Sequence, residues 1–86
     1  MRVRSTAHAE RQLVERGLSK DSVLEVLVTP GQVIQQEAGI SVFQQRYAEG
    51  GKEYLIRVAA RLEGSTWVVL TAYKTSKVQK YWRDNL

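Results

Sequence analysis

Cysteine is missing from this 86-residue chain. Disulfides and thiolate metal sites are therefore excluded. Histidine occurs once, at His8, so no cluster of imidazoles is available to build a transition-metal centre. No apolar run approaches the roughly 20 residues that cross a bilayer. The opening stretch MRVRSTAHAERQ lacks the apolar centre of a secretion signal. A glycine-rich phosphate loop, a paired-glycine dinucleotide fingerprint, a serine elbow and metal-ligand spacings are all absent. Together these absences predict a cytoplasmic protein that works without membrane, metal or cofactor. Acid is also scarce where it counts: Lys74 to Arg83 holds four cations and no carboxylate.

The length fits one domain, residues 1–86. A chain this short buries on the order of 60% of the surface that its unfolded form exposes. Such a core leaves room for a surface groove and none for a large enclosed cavity. Thirteen basic residues against nine acidic ones give a net charge of +4, a bias that permits a nucleic-acid partner without requiring one.

The pattern divides into a helical third and a strand-rich remainder. Ser5 or Thr6 can cap a helix over residues 7–16, with Gly17 as its stop. Ala7, Ala9, Leu13 and Val14 fall on one arc of that helix. His8, Arg11, Gln12, Glu15 and Arg16 fall on the other. Ser19 caps a second helix over 20–28, whose Val23, Leu24, Leu27 and Val28 form the buried stripe, and Thr29-Pro30-Gly31 ends it. Four strands follow, over 32–37, 41–48, 53–61 and 66–73, with Gly50-Gly51 marking a hairpin. The third strand alternates: Tyr54, Ile56, Val58 and Ala60 against Leu55, Arg57, Ala59 and Arg61. In the fourth, Val68, Leu70 and Ala72 share one face, and Trp67, Val69, Thr71 and Tyr73 the other. A short helix over 77–85 closes the chain. The expected fold is α+β, two N-terminal helices packed on a curved four-stranded antiparallel sheet. The sheet face away from the helices is then expected to carry Arg57, Arg61, Thr71 and Tyr73.

These residues suit phosphate. An imidazole titrates near neutral pH and can move protons. Arg11 lies beside His8 on the same helix surface and can hold a phosphate by two hydrogen bonds. In YKTSK, Lys74 and Lys77 flank Thr75 and Ser76, and hydroxyls with ammonium groups bind phosphate oxygens. Tyr81 and Trp82 can stack on bases or anchor the C-terminal helix. The plain alternative stands beside each reading: a solvated helix face, and arginines that merely solvate one side of an antiparallel sheet.

The stretches AHAERQLVERGLSKDSVLEVL and VVLTAYKTSKVQKYW resemble the bacterial domain-of-unknown-function family 4258. Its members open with a His-Ala-x-x-Arg-x-x-x-Arg-Gly helix and close with a Thr-x-Tyr strand end. That family is in turn similar to small RelE-like RNase toxins of the barnase–EndoU–colicin–RelE group, many of them silenced by an antitoxin or immunity protein. The resemblance implies roles at His8, Arg11 and Arg16 in the helix, and at Thr71 and Tyr73 in the strand.

The resulting expectation is a metal-independent endoribonuclease cleaving RNA by attack of the ribose 2′-hydroxyl. His8, Arg11, Arg57, Thr71 and Tyr73 are its catalytic candidates, with preplaced cations countering charge on the phosphate oxygens. Arg16, Arg61, Lys74, Thr75 and Lys77 are its RNA-binding candidates. RNA and an antitoxin or immunity protein are the expected partners. A non-catalytic RNA-binding or protein-interaction module is the alternative, including one that offers a sheet edge to an added strand.

Overall fold

A five-stranded mixed sheet with two helices on one face organises the chain. The computed structural model describes residues 1–85. In order, the elements are β1 (Arg2–Ser5), α1 (Ala7–Arg16), α2 (Lys20–Val28), β2 (Gln32–Gln35), a single 3-10 turn (Glu37–Gly39), β3 (Ile40–Glu49), β4 (Lys52–Glu63), β5 (Thr66–Thr75) and α3 (Val78–Tyr81). Spatially the strands run β1-β5-β4-β3-β2.

Local chemistry sets the helix ends. Thr6 is the cap of α1, its hydroxyl accepting the Ala9 amide at 3.0 Å. Gly17 adopts the left-handed conformation at φ 65 and returns its amide to the last turn, a backbone state that costs glycine little. Ser19 accepts the Ser22 amide at 3.1 Å and starts α2. Ala9 and Leu13 from α1, and Val23, Val26 and Leu27 from α2, pack against Phe43, Ile56, Val58, Ala60, Val69 and Ala72 of the sheet. Val14, expected on the buried arc, is 82% exposed, because the inward stripe of α1 is narrower than the sequence pattern implies.

The mixed α+β class is as expected, and three details differ. The first is a fifth strand. Residues 2–5 pair in parallel with Thr66–Val69, so the sheet is not purely antiparallel. A four-residue segment with a single apolar residue carries too little periodicity to read as a strand, and its partner lies some 60 residues away. The second is α3, which is one turn long and stops at Tyr81.

The third concerns β5. Its register against β4 shifts between Ala59 and Ala60. Ala60 faces Val69 and Ala59 faces Thr71, which leaves Leu70 as the extra residue of a β-bulge. Before the bulge, Trp67 and Val69 face the helices, opposite to the side expected from strict alternation. After it, Ala72 joins the helix-side core, and Thr71 and Tyr73 sit opposite Ala59 and Arg57 on the other face. Arg57, Arg61 and Tyr73 share that face as expected, whereas Thr71 turns its hydroxyl to Gln12 and Arg16 of α1 at the β5 edge.

Candidate nucleic-acid interface

Alternation from the observed registers places Arg2 and Arg4 of β1, Arg46 of β3, and Arg57 and Arg61 of β4 on the sheet face away from α1 and α2. The carboxylates of the same strands on that face, Glu53 and Glu63, are already paired. Arg46 donates to Glu53 at 2.6 and 3.1 Å, and Arg4 to Glu63 at 3.3 Å. The Nε of Arg61 is buried and, among the described residues, has no hydrogen-bond partner. Sequence reading missed Arg2 and Arg4 because β1 itself was not legible.

A polar row crosses this face in register. Gln32 of β2 opposes Gln44 of β3, Gln44 opposes Arg57 of β4, and Arg57 opposes Tyr73 of β5. The row is hydrogen-bonded end to end. Gln44 Nε2 donates to Gln32 Oε1 at 2.7 Å. Arg57 Nε donates to Gln44 Oε1 at 2.9 Å, and its Nη1 donates to Tyr73 Oη at 2.5 Å. Arg57 is only 9% exposed and Gln44 is fully buried. No Asp or Glu side chain pairs with Arg57 among the described residues. Its charge is met by two neutral oxygens and by aromatic faces, with Tyr81 at 4.0 Å and Tyr73 at 5.7 Å from the guanidinium carbon. Hydrogen bonding to Tyr73 and to Lys80 holds the Tyr81 phenol below its ordinary value of 10.0.

On the helix side, α1 lies along β5. Thr71 Oγ1 donates to Gln12 Oε1 at 2.5 Å. Arg16 Nη1 donates to Thr71 Oγ1 at 3.2 Å and to the Ala72 carbonyl at 2.8 Å. β1 pairs β5 only as far as Val69, so Arg16 satisfies part of the edge that β1 leaves open. Around that edge runs a hollow of about 660 Å³ lined by Arg16, Tyr54, Tyr73, Lys74, Thr75 and Ser76. Four predicted residues, Arg16, Tyr73, Lys74 and Thr75, thus share one surface.

The other predicted residues are placed differently. His8 is exposed on α1 and precedes Arg16 by eight residues, about 12 Å along a helix axis. Arg11 is exposed, roughly opposite the buried Ala9 and Leu13 on the wheel. Among the described residues neither His8 nor Arg11 has a hydrogen bond to Arg57, Thr71 or Tyr73, whose partners are Gln12, Arg16 and Gln44 and one another. Lys74 faces the helix side of the sheet, where its Nζ lies 4.5 Å from the Tyr54 ring centre and 2.6 Å from Glu49 Oε2. Thr75 Oγ1 accepts the Lys77 amide at 3.1 Å and shapes the turn into α3, leaving the Lys77 side chain exposed.

No helix is long and apolar enough to cross a membrane among the described residues. A family model described as "Domain of unknown function (DUF4258)" matches residues 5–74. No curated protein and no solved structure matches the chain.

Proposed function

Because the chain belongs to the DUF4258 family, whose description assigns no activity, we propose a function from the site itself: a domain that binds RNA through its phosphodiester backbone. The observation that carries this reading is the one-sided set of five strand arginines, of which Arg4 and Arg46 pair with the two strand carboxylates of that face and Arg2, Arg57 and Arg61, among the described residues, pair with none. Arginine forks match phosphate oxygens in pairs, and binding that neutralises phosphates weakens steeply with salt. The hollow at the β5 edge adds Arg16, the Thr75 hydroxyl and the Tyr73 ring, a surface on which an unpaired base can stack. Single-stranded RNA, with bases free to splay, fits such a surface better than a duplex.

The test is a salt series of binding to a fluorescent single-stranded RNA. A linear fall of log affinity with log salt is expected. Affinity that ignores salt, or equal affinity for a neutral-backbone analogue, rejects the reading.

One contact favours strand cleavage as a second reading. Arg57 donates to the Tyr73 oxygen, so the phenolic proton points away from Arg57, toward Tyr81 in the closed structure and toward a leaving oxygen once Tyr81 is displaced. In this scheme the ribose 2′-hydroxyl loses its proton to solvent and its oxygen attacks phosphorus. The bond from phosphorus to the 5′-oxygen breaks, and Tyr73 protonates the departing oxygen while Arg57 faces the phenolate left behind. The products are a 2′,3′-cyclic phosphate and a 5′-hydroxyl. In this scheme His8, eight residues before Arg16 and about 12 Å along the helix axis from it, makes a flanking contact. RNA incubated in EDTA with wild type, His8→Ala and Tyr73→Phe decides the matter. Cleavage lost with Tyr73→Phe and kept with His8→Ala supports the scheme. Equal cleavage by all three rejects these roles.

A further inference from the structure

The cation best placed for an anion is the one that solvent reaches least. Arg57 lies beneath the segment after β5, and that segment is held to the polar row by backbone groups. Gln44 Nε2 donates to the Tyr81 carbonyl at 3.1 Å. Gln32 Oε1 accepts the Arg83 amide at 3.0 Å, and its Nε2 donates to the Arg83 carbonyl. Trp82 lies under Arg46, with 5.0 Å from the guanidinium carbon to the ring centre, and Tyr81 covers Arg57 itself at 4.0 Å. Among the described residues, the only helical turn in this segment is Val78–Tyr81. One turn is far below the length at which a helix is stable by itself, so the segment is held by these contacts and by the buried Val78 side chain at its start.

The chemistry of the row is mismatched to its occupant. A guanidinium with no carboxylate is a costly group to cover, and aromatic rings with neutral oxygens compensate it weakly beside an anion. Lift the segment, and Gln32, Gln44, Arg57 and Tyr73 present two amides, a cation and a phenol in one line across four strands.

We infer that residues 78–83 are a displaceable cover over an anion-binding site centred on Arg57, in which Tyr81 holds the place of a phosphate group. Naming an RNA phosphodiester as the eventual ligand rests on the function proposed above; the cover and the anion site do not. Closure reduces apparent affinity by the fraction of time that the site is open. Loosening the cover therefore raises affinity without any new contact.

The test uses the full chain and inorganic pyrophosphate as the probe, followed by calorimetric titration. In the Tyr81→Ala/Trp82→Ala variant, binding is expected to tighten about tenfold. Adding Arg57→Gln to that variant is expected to remove the gain. Unchanged affinity in a folded variant, or a gain that survives Arg57→Gln, overturns the inference. Hydrogen exchange on wild type gives a second reading if the variant fails to fold. Saturating pyrophosphate is expected to speed exchange at the Trp82 and Arg83 amides, and unchanged or slower exchange there overturns it. A pyrophosphate effect without any RNA binding by the wild type upholds the cover and rejects RNA as its ligand.

Discussion

Arg57 and Tyr73 are cross-strand neighbours joined by a 2.5 Å hydrogen bond from Nη1 to the phenol oxygen. Between Val69 and Thr71, Leu70 is the extra residue of a bulge in β5. With it out of register, Val69 and Ala72 both face inward and Tyr73 sits beside Arg57 on the face away from α1 and α2.

Deletion of Leu70 should therefore leave the register intact. Without it Val69 and Thr71 become neighbours, and strict alternation keeps Val69 and Ala72 inward and Tyr73 opposite Arg57. A loss of about 1–3 kcal/mol is expected, from the half-buried Leu70 side chain and the straightened strand. Leu70→Ala keeps the bulge and should cost about 1 kcal/mol. Urea denaturation of the two variants measures both, and a deletion variant that fails to fold would show that the bulge itself is required.

Helix α1 should show a sharp contrast between adjacent residues. Leu13 is buried in the core cluster and Val14 points to solvent. Leu13→Ala should cost about 2–5 kcal/mol, and Val14→Ala about 0.5 kcal/mol or less. Comparable effects in thermal or urea melts would contradict the packing described.

Arginines that track RNA should show themselves in the salt slope. Arg61→Gln and Arg2→Gln should each lower the slope of log affinity against log salt by about 1, uniformly across RNA sequences. A slope unchanged in both variants would move the RNA path away from β1 and β4.

Tyrosine absorbance near 295 nm should resolve two unusual phenols. Hydrogen bonding with Tyr73 holds Tyr81 below 10.0, and burial pushes Tyr47 above it. Tyr73→Phe should move the Tyr81 transition upward. The sign for stability follows from the depressed value: the Tyr81 contribution is fully present above 10.0 and is lost as pH falls through its folded value. A single transition at 10.0 for all four tyrosines would remove this network.

By itself the sequence determined the local features. Thr6 and Gly17, Ser19 and Pro30 bound the two main helices, because caps and stops act within one turn. Alternation in EYLIRVAAR put Arg57 and Arg61 on the side opposite Ile56 and Val58, because a strand's period is two and needs no partner to be read. Only the tertiary structure decided the rest. β1 exists because β5 offers it an edge, and that brings Arg2 and Arg4 to the arginine face. The bulge exists because β4 and β5 must keep Val69 and Ala72 both in one core, which a strictly alternating strand cannot do. Gln32, Gln44, Arg57 and Tyr73 form a line because three antiparallel registers in succession align them across residues 32 to 73. Register is set by packing between strands, and a strand's own alternation says which face a residue takes but not which residue stands opposite it.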